Sequence, residues 1–287
     1  MPSRSDITYF GAGPALLPTD VLEDAAKALI NYNDTGLGIA EHSHRSAIAT
    51  NIINEAKADL ATYLDIPDDY EVLFMHGGGS GGFAATAYNL AGNWVARKQK
   101  ELGSGPELKE AVKDLKLDYI VTGGWSQKAK AEAERLFGKE HVNVVADARE
   151  SNGGKYGIIP DESTWKLSKD AAMVYYCDNE TVHGVEFPAF PKALESSGDG
   201  GPIVVADMSS NILSREIPIR NFSAIFFGAQ KNLGVTGITV VVIKKSLLPQ
   251  PSPDVMRELA LPSPPSILEY AGIAKSNSLY NTLSIFE

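Results

Sequence analysis

Residues 76–83 read His-Gly-Gly-Gly-Ser-Gly-Gly-Phe and sit between an apolar run at 72–75 and a helical pattern in which Phe83, Ala87 and Leu90 recur. Glycines in that setting let backbone N–H groups approach an anion, and the helix start behind them adds partial positive charge. A phosphate site is the natural reading; a tight turn with no ligand is the bland one. Gly77, Gly79 and Gly82 also satisfy G-x-G-x-x-G, which admits a dinucleotide site and hence a nucleotide-dependent oxidoreductase. No strand-end acid follows about 20 residues on, as a dinucleotide ribose would require.

Two more ionisable residues fall at the ends of apolar runs: Asp207 after IVVA and Lys231 within AIFFGAQK, 24 residues later. Either alone is an ordinary loop charge. Together they suit a cofactor that needs an acid for a ring nitrogen and an amine for a carbonyl, the pair that pyridoxal phosphate requires. An ion pair at about 4 Å with an effective dielectric near 20 is worth about 4 kcal/mol, enough to hold a pyridinium protonated at neutral pH. Trp125 follows the YIVTGG segment at the same kind of edge and can stack on a flat ring, or be a plain half-buried tryptophan. Thr181 in CDNETVHG can reach a ring hydroxyl or serve the turn. His44 and Arg45, in EHSHR, read as an anion-binding pair rather than metal ligands, because no third ligand cluster accompanies them. Cys177 and His183 read as structural, and Asn281 and Thr282 as loop caps.

These groups need a frame that brings strand ends together. Apolar runs at 72–75, 119–121, 142–145, 173–177, 203–206, 224–227 and 238–243 are continuous rather than alternating, the pattern of strands buried on both faces. Helical stripes fill several gaps: Val21, Leu22, Ala25, Ala26 and Leu29; Ile48, Ile52, Ala56 and Leu60; and a segment from Ser126, as N-cap, to Phe137, with Gly138 as its stop. The alternation predicts an α/β fold with a mostly parallel seven-stranded sheet and helices on both faces. Only nine residues, 229–237, separate the last two strands, too few for a parallel crossover, so the last strand is expected to run antiparallel. The charged stretch 97–116 reads as an exposed insertion, residues 1–20 as an N-terminal arm, and the proline-rich 246–287 as an irregular interface loop.

Composition narrows the function classes. Thirty-six acidic against 26 basic residues give a net charge of -10, which leaves no basic footprint for nucleic acid or an anionic membrane. A single cysteine excludes an intrachain disulfide framework and a multi-cysteine zinc site. Neither a signal-peptide core nor an apolar run of about 20 residues is present, so a soluble cytoplasmic protein is expected.

Taken in order, FGAGPALLP (10–18), DTGLGIAEHSHRS (34–46), HGGGSGGF, VTGGWSQKA (121–129), YCDNETVHGVE (176–186), VVADMSSNILSR (204–215), FFGAQKNLGVTGITVVVIKK (226–245) and NSLYNT (277–282) resemble the phosphoserine aminotransferase family, most of all its fungal branch. The resemblance covers essentially the whole chain. It implies a fold-type-I pyridoxal-phosphate enzyme, a homodimer that moves an amino group between L-glutamate and 3-phosphohydroxypyruvate. It also implies roles: Lys231 as Schiff-base lysine, Asp207 as pyridinium partner, Trp125 stacking on the ring and Thr181 on its hydroxyl. Gly79, Ser80 and Gln230 are implied to hold the cofactor phosphate, and Asn281 and Thr282 the neighbouring subunit's. His44 and Arg45 are implied to meet the substrate's phosphate or distal carboxylate. Ser80 stands where some relatives carry arginine, and Ser284 where a proline is common. The family's small C-terminal domain, with its α-carboxylate arginine, would follow beyond Glu287. A truncated, catalytically silent chain is therefore the companion expectation.

Overall fold

The computed structural model describes residues 2–11, 13–196 and 200–279. In chain order the elements are α1 (Thr19–Ile30), α2 (Ala47–Tyr63), β1 (Tyr70–Met75), α3 (Gly78–Leu102), α4 (Pro106–Val112), β2 (Leu117–Val121), α5 (Gly124–Phe137), β3 (Val142–Asp147) and α6 (Ala148–Ser151). They continue with β4 (Met173–Cys177), β5 (Asn179–Glu180), β6 (Val185–Glu186), β7 (Val204–Asp207), β8 (Ala224–Gly228), β9 (Thr239–Lys244), α7 (Pro253–Glu258) and α8 (Tyr270–Lys275). Seven strands form one sheet in the order β1-β9-β8-β7-β4-β2-β3. All seven apolar runs of the sequence are strands of it. As the short connection requires, β9 is antiparallel to β8, and it is antiparallel to β1 as well; the other pairings are parallel.

The continuous apolar character of the strands follows from a core on each face. Phe83, Leu90 and Trp94 of α3 and Phe137 of α5 pack on one side with Tyr175 and Phe226. Ile53 and Leu60 of α2 pack on the other with Phe187, Ile212 and Phe222. Every residue of β4 and β8 is buried.

Four local expectations need correction. The stretch 97–116 is not a solvated insertion: it finishes α3 and forms α4, with Leu108, Val112 and Leu115 buried among the charges. Residues 246–279 are only partly irregular, because the short helices α7 and α8 interrupt the loop and seat Met256, Tyr270 and Ile273 in the core. The apolar stripe of α1 does not enter the core, and no residue of that helix is buried. Ser126 is not the N-cap of α5; Gly123 holds that place. The two-residue strands β5 and β6, which form a separate antiparallel hairpin, had no signal in the pattern. Among the described residues no helix is long and apolar enough to cross a membrane.

Candidate functional site

Parallel pairing puts the carboxyl ends of the central strands on one edge. Cys177 pairs with Asp207 and Asp207 with Phe226, while Met75 and Gly228 both pair with Thr239, the first residue of β9. The glycine loop after β1, Trp125 after β2, Thr181 after β4, Asp207 ending β7 and Lys231 after β8 therefore all emerge at the edge where open α/β sheets bind ligands.

Asp207 is buried, and burial pushes its carboxyl up to about 6, against the pull of Ser209 and the Lys231 charge. Ser209 holds one oxygen: its N–H and its hydroxyl donate to Oδ1 at 2.9 and 2.6 Å. The Ser209 hydroxyl oxygen also accepts the Gly228 N–H at 3.1 Å, which ties the acid's clamp to β8. Oδ2 accepts no bond from any described residue. A buried carboxylate with one oxygen fixed and one open is built to receive a cationic N–H.

Lys231 is half-buried, and its Nζ has no hydrogen-bond or ion-pair partner among the described residues. The N-terminal arm lies against it. The Ala15 N–H donates to the Lys231 carbonyl at 2.9 Å, and a Cβ at Gly13 would stand 3.7 Å from Nζ. Gln230 folds its amide over Gly228, where any larger residue would overlap it.

At the glycine loop, Gly77 takes a left-handed conformation (φ 118°) and α3 begins with no side-chain cap. The Gly81 N–H already bonds the Gly77 carbonyl at 2.9 Å, so the amides of Gly78, Gly79 and Ser80 form the open first turn. A Cβ at Gly82 would overlap the Phe226 ring, so that glycine brings the helix start down onto β8. Gly79 faces no such constraint, its Cβ position being 3.6 Å from the Phe83 ring.

The start of α5 is the opposite case. Glu180, fully buried in β5, accepts the N–H groups of Trp125 and Ser126 at 2.8 Å each, and the Ser126 hydroxyl at 2.5 Å. His183 Nδ1 accepts the Gly124 N–H at 3.3 Å. Trp125 is half-buried with Lys128 Nζ 4.2 Å from its ring centre. Thr181 is exposed in the hairpin turn directly after Glu180. The loop after β7 is bolted to this hairpin: Asn211 donates to Asp178 at 2.5 Å and Glu186 at 2.9 Å, and Arg215 pairs with Asp178.

The donor set fits pyridoxal phosphate: an open anion cradle, an unpartnered lysine, and a buried acid with a free oxygen. An aromatic lies on the same edge. Not everything converges. His44 is half-buried with Nε2 buried and unpartnered, Arg45 is exposed, and no described contact joins either to Asp207 or Lys231. Asn281 and Thr282 lie outside the described residues. An apolar hollow of about 670 Å³ between α2 and residues 229–240 includes neither Asp207 nor Lys231, and its lining of Ile52, Tyr63, Leu233 and Val235 carries no group for this chemistry.

Sequence reasoning missed Glu180 and Ser209. Ser209 had a readable signal, because Asp-x-Ser is a side-chain-to-backbone turn. Glu180 had none, since its partners lie 54 and 55 residues upstream.

Comparison with known proteins agrees with this geometry. The Aminotransferase class-V family matches residues 7–104 and 115–285, a break that falls on α4. Phosphoserine aminotransferase of Saccharomyces cerevisiae is 45% identical over 99% of this chain and 69% of its own length. A putative phosphoserine aminotransferase of Schizosaccharomyces pombe is 41% identical over the same shares. The crystal structure of phosphoserine aminotransferase from Trichomonas vaginalis, described as bound to PLP, superposes with a TM-score of 0.75 at 35% identity, covering 95% of this chain and 65% of that one. The chain thus spans about two thirds of the length of these relatives. A glycine cradle, a buried acid and an unpartnered lysine on one sheet edge, with this similarity along nearly the whole sequence, place the chain in the phosphoserine aminotransferase family of class-V aminotransferases.

Proposed function

We propose that this chain carries the pyridoxal-phosphate site of a phosphoserine aminotransferase, which moves an amino group between L-glutamate and 3-phosphohydroxypyruvate in the cytoplasm. The observation that carries the reading is the pairing of a half-satisfied buried Asp207 with an unpartnered Lys231 beside the uncapped start of α3. When bound, the cofactor supplies an electron sink for the carbon that gains or loses the amino group. Asp207 Oδ2 would accept the ring N–H and so favour the protonated nitrogen. Lys231 Nζ would be the amine that holds the cofactor's carbonyl carbon and the base placed to carry protons there. The first-turn amides of α3, with Gly79, Ser80 and Gln230, would hold the phosphate. Trp125 would stack on the ring and Thr181 would bond its hydroxyl.

Substrate selection falls to His44 and Arg45, which would meet the substrate's phosphate or distal carboxylate. Asn281 and Thr282 would complete the neighbouring site in a homodimer. The dinucleotide alternative loses its footing, because the glycine loop follows an edge strand of the sheet and the chain belongs to an aminotransferase family. Borohydride treatment after adding pyridoxal phosphate, followed by peptide mapping, should label Lys231; a label on Lys244 or Lys245 overturns the assignment. A coupled assay with glutamate and phosphohydroxypyruvate, on this chain and on one extended to the relatives' length, tests turnover. Rates near zero for the 287-residue chain beside an active longer one would mark this chain as a binding unit without turnover.

A further inference from the structure

Glu180 is fully buried, and no arginine or lysine pairs with it among the described residues. A buried carboxylate without a cation is costly to maintain. Here the compensation is the positive end of α5: the amides of Trp125 and Ser126 and the Ser126 hydroxyl all donate to it. Gly123 makes room, because a Cβ there would overlap the Glu180 side chain. If only a helix cap were wanted, a local serine or aspartate at the N-cap would do at less cost. Instead the acid comes from a hairpin far along the chain, and the two residues assigned above to the cofactor ring flank the contact. Trp125 is bonded to Glu180 through its own N–H, and Thr181 is the next residue in sequence.

We propose that Glu180 is a positioning residue for the cofactor ring: its carboxylate locks the start of α5 to the β5–β6 hairpin, so Trp125 and Thr181 are presented to the ring as one unit. The proposal rests on the pyridoxal-phosphate reading above. The hairpin is itself anchored on its far side by Asn211 and Arg215, so the lock joins α5 to the loop that follows Asp207. The charge of Glu180 also acts on Asp207, favouring a proton at that end of the site.

The test compares Glu180→Gln with Asp118→Asn. Asp118 is an equally buried carboxylate that accepts bonds from Ser168 and Asn143, away from the proposed site. Three quantities are read: pyridoxal phosphate affinity from visible absorbance, the circular dichroism induced in the bound cofactor, and amide exchange of Trp125 and Ser126 without cofactor. Glu180→Gln should weaken affinity about tenfold, the worth of one charge-assisted hydrogen bond. It should also diminish the induced dichroism and speed exchange of the two amides about tenfold, while Asp118→Asn leaves all three near wild type. If Glu180→Gln fails to fold, Ser126→Ala removes one of the three bonds and should shift the same quantities the same way, by about threefold. Equal losses in Glu180→Gln and Asp118→Asn, or no change in Glu180→Gln and Ser126→Ala, would overturn the proposal. A wild-type chain that binds no pyridoxal phosphate would overturn the functional reading as well, whereas normal wild-type binding with an indifferent Glu180 sinks the positioning role alone.

Discussion

Two helices start at the same edge of one sheet, and their first turns have opposite fates. The start of α3 is stripped of side chains by glycine and left without a cap. At the start of α5 the Gly124, Trp125 and Ser126 amides are taken by His183 and Glu180. Both carry the same partial positive charge. An open start is an anion site, whereas a start closed by a buried carboxylate is a rigid mount, here for the tryptophan at its second position. The difference shows that a helix dipole defines no function until the fate of its amides is known.

The largest effect should come from the acid that lies between the two helix starts. Asp207→Asn should lower turnover on the order of 10²–10³-fold in a chain extended to the relatives' length, measured by steady-state kinetics. In the cofactor-free chain the same change should help folding. Burial raises the folded-state pKa of Asp207 to about 6, above the ordinary carboxylate value, so the folded form binds its proton more tightly than the unfolded chain. This group therefore costs stability as pH rises from about 4 to 6, and the full cost, about 3 kcal/mol, stands above pH 6. Urea unfolding should show Asp207→Asn gaining on wild type across that window, and a gap that does not change with pH would contradict the buried, half-satisfied geometry.

Filling the open start is the next test. Gly79→Asp has room for its Cβ and would place a carboxylate at the proposed phosphate site. Affinity for pyridoxal phosphate should fall about 100-fold, while thermal stability holds or rises by about 0.3–1 kcal/mol. Parallel losses in both would show that the loop is a turn and not a cradle. Forcing the closed start should do the reverse: Gly123→Ala pushes a methyl into the locked Glu180 side chain and should cost about 1–3 kcal/mol in unfolding free energy. The smallest effect concerns the cation over the Trp125 ring. Lys128→Ala should change stability by only about 0.5 kcal/mol and leave cofactor affinity within a factor of two or so.

The sheet and its edge were legible because burial on both faces leaves a plain mark. MVYYC at 173–177 is a strand to the residue, and Asp207 and Lys231 stand out as charges at the ends of such runs. Helix burial was harder to read. Leu108, Val112 and Leu115 hold α4 in place but are diluted among lysines and glutamates, while the conspicuous stripe of α1 stays out of the core. The hairpin of β5 and β6 is too short for any periodicity to register. Glu180 escaped for a different reason. Its meaning lies wholly in a helix reached through space, and residue type alone cannot distinguish such a carboxylate from a surface one.

Strand β1, which delivers the glycine loop, lies at the edge of the sheet and is joined to it by β9, with Tyr70 opposite Lys244 and Met75 opposite Thr239. Its partner thus arrives about 170 residues later in the chain. Closing so long a loop is entropically expensive before any contact rewards it, and topologies of this kind fold slowly. During synthesis β1 has no strand to pair with until β9 has left the ribosome, and Lys231 emerges just ahead of β9. Cradle and lysine should therefore come together in a single late step, so that a nascent chain acquires its affinity for the cofactor abruptly and near the end of this fold's assembly.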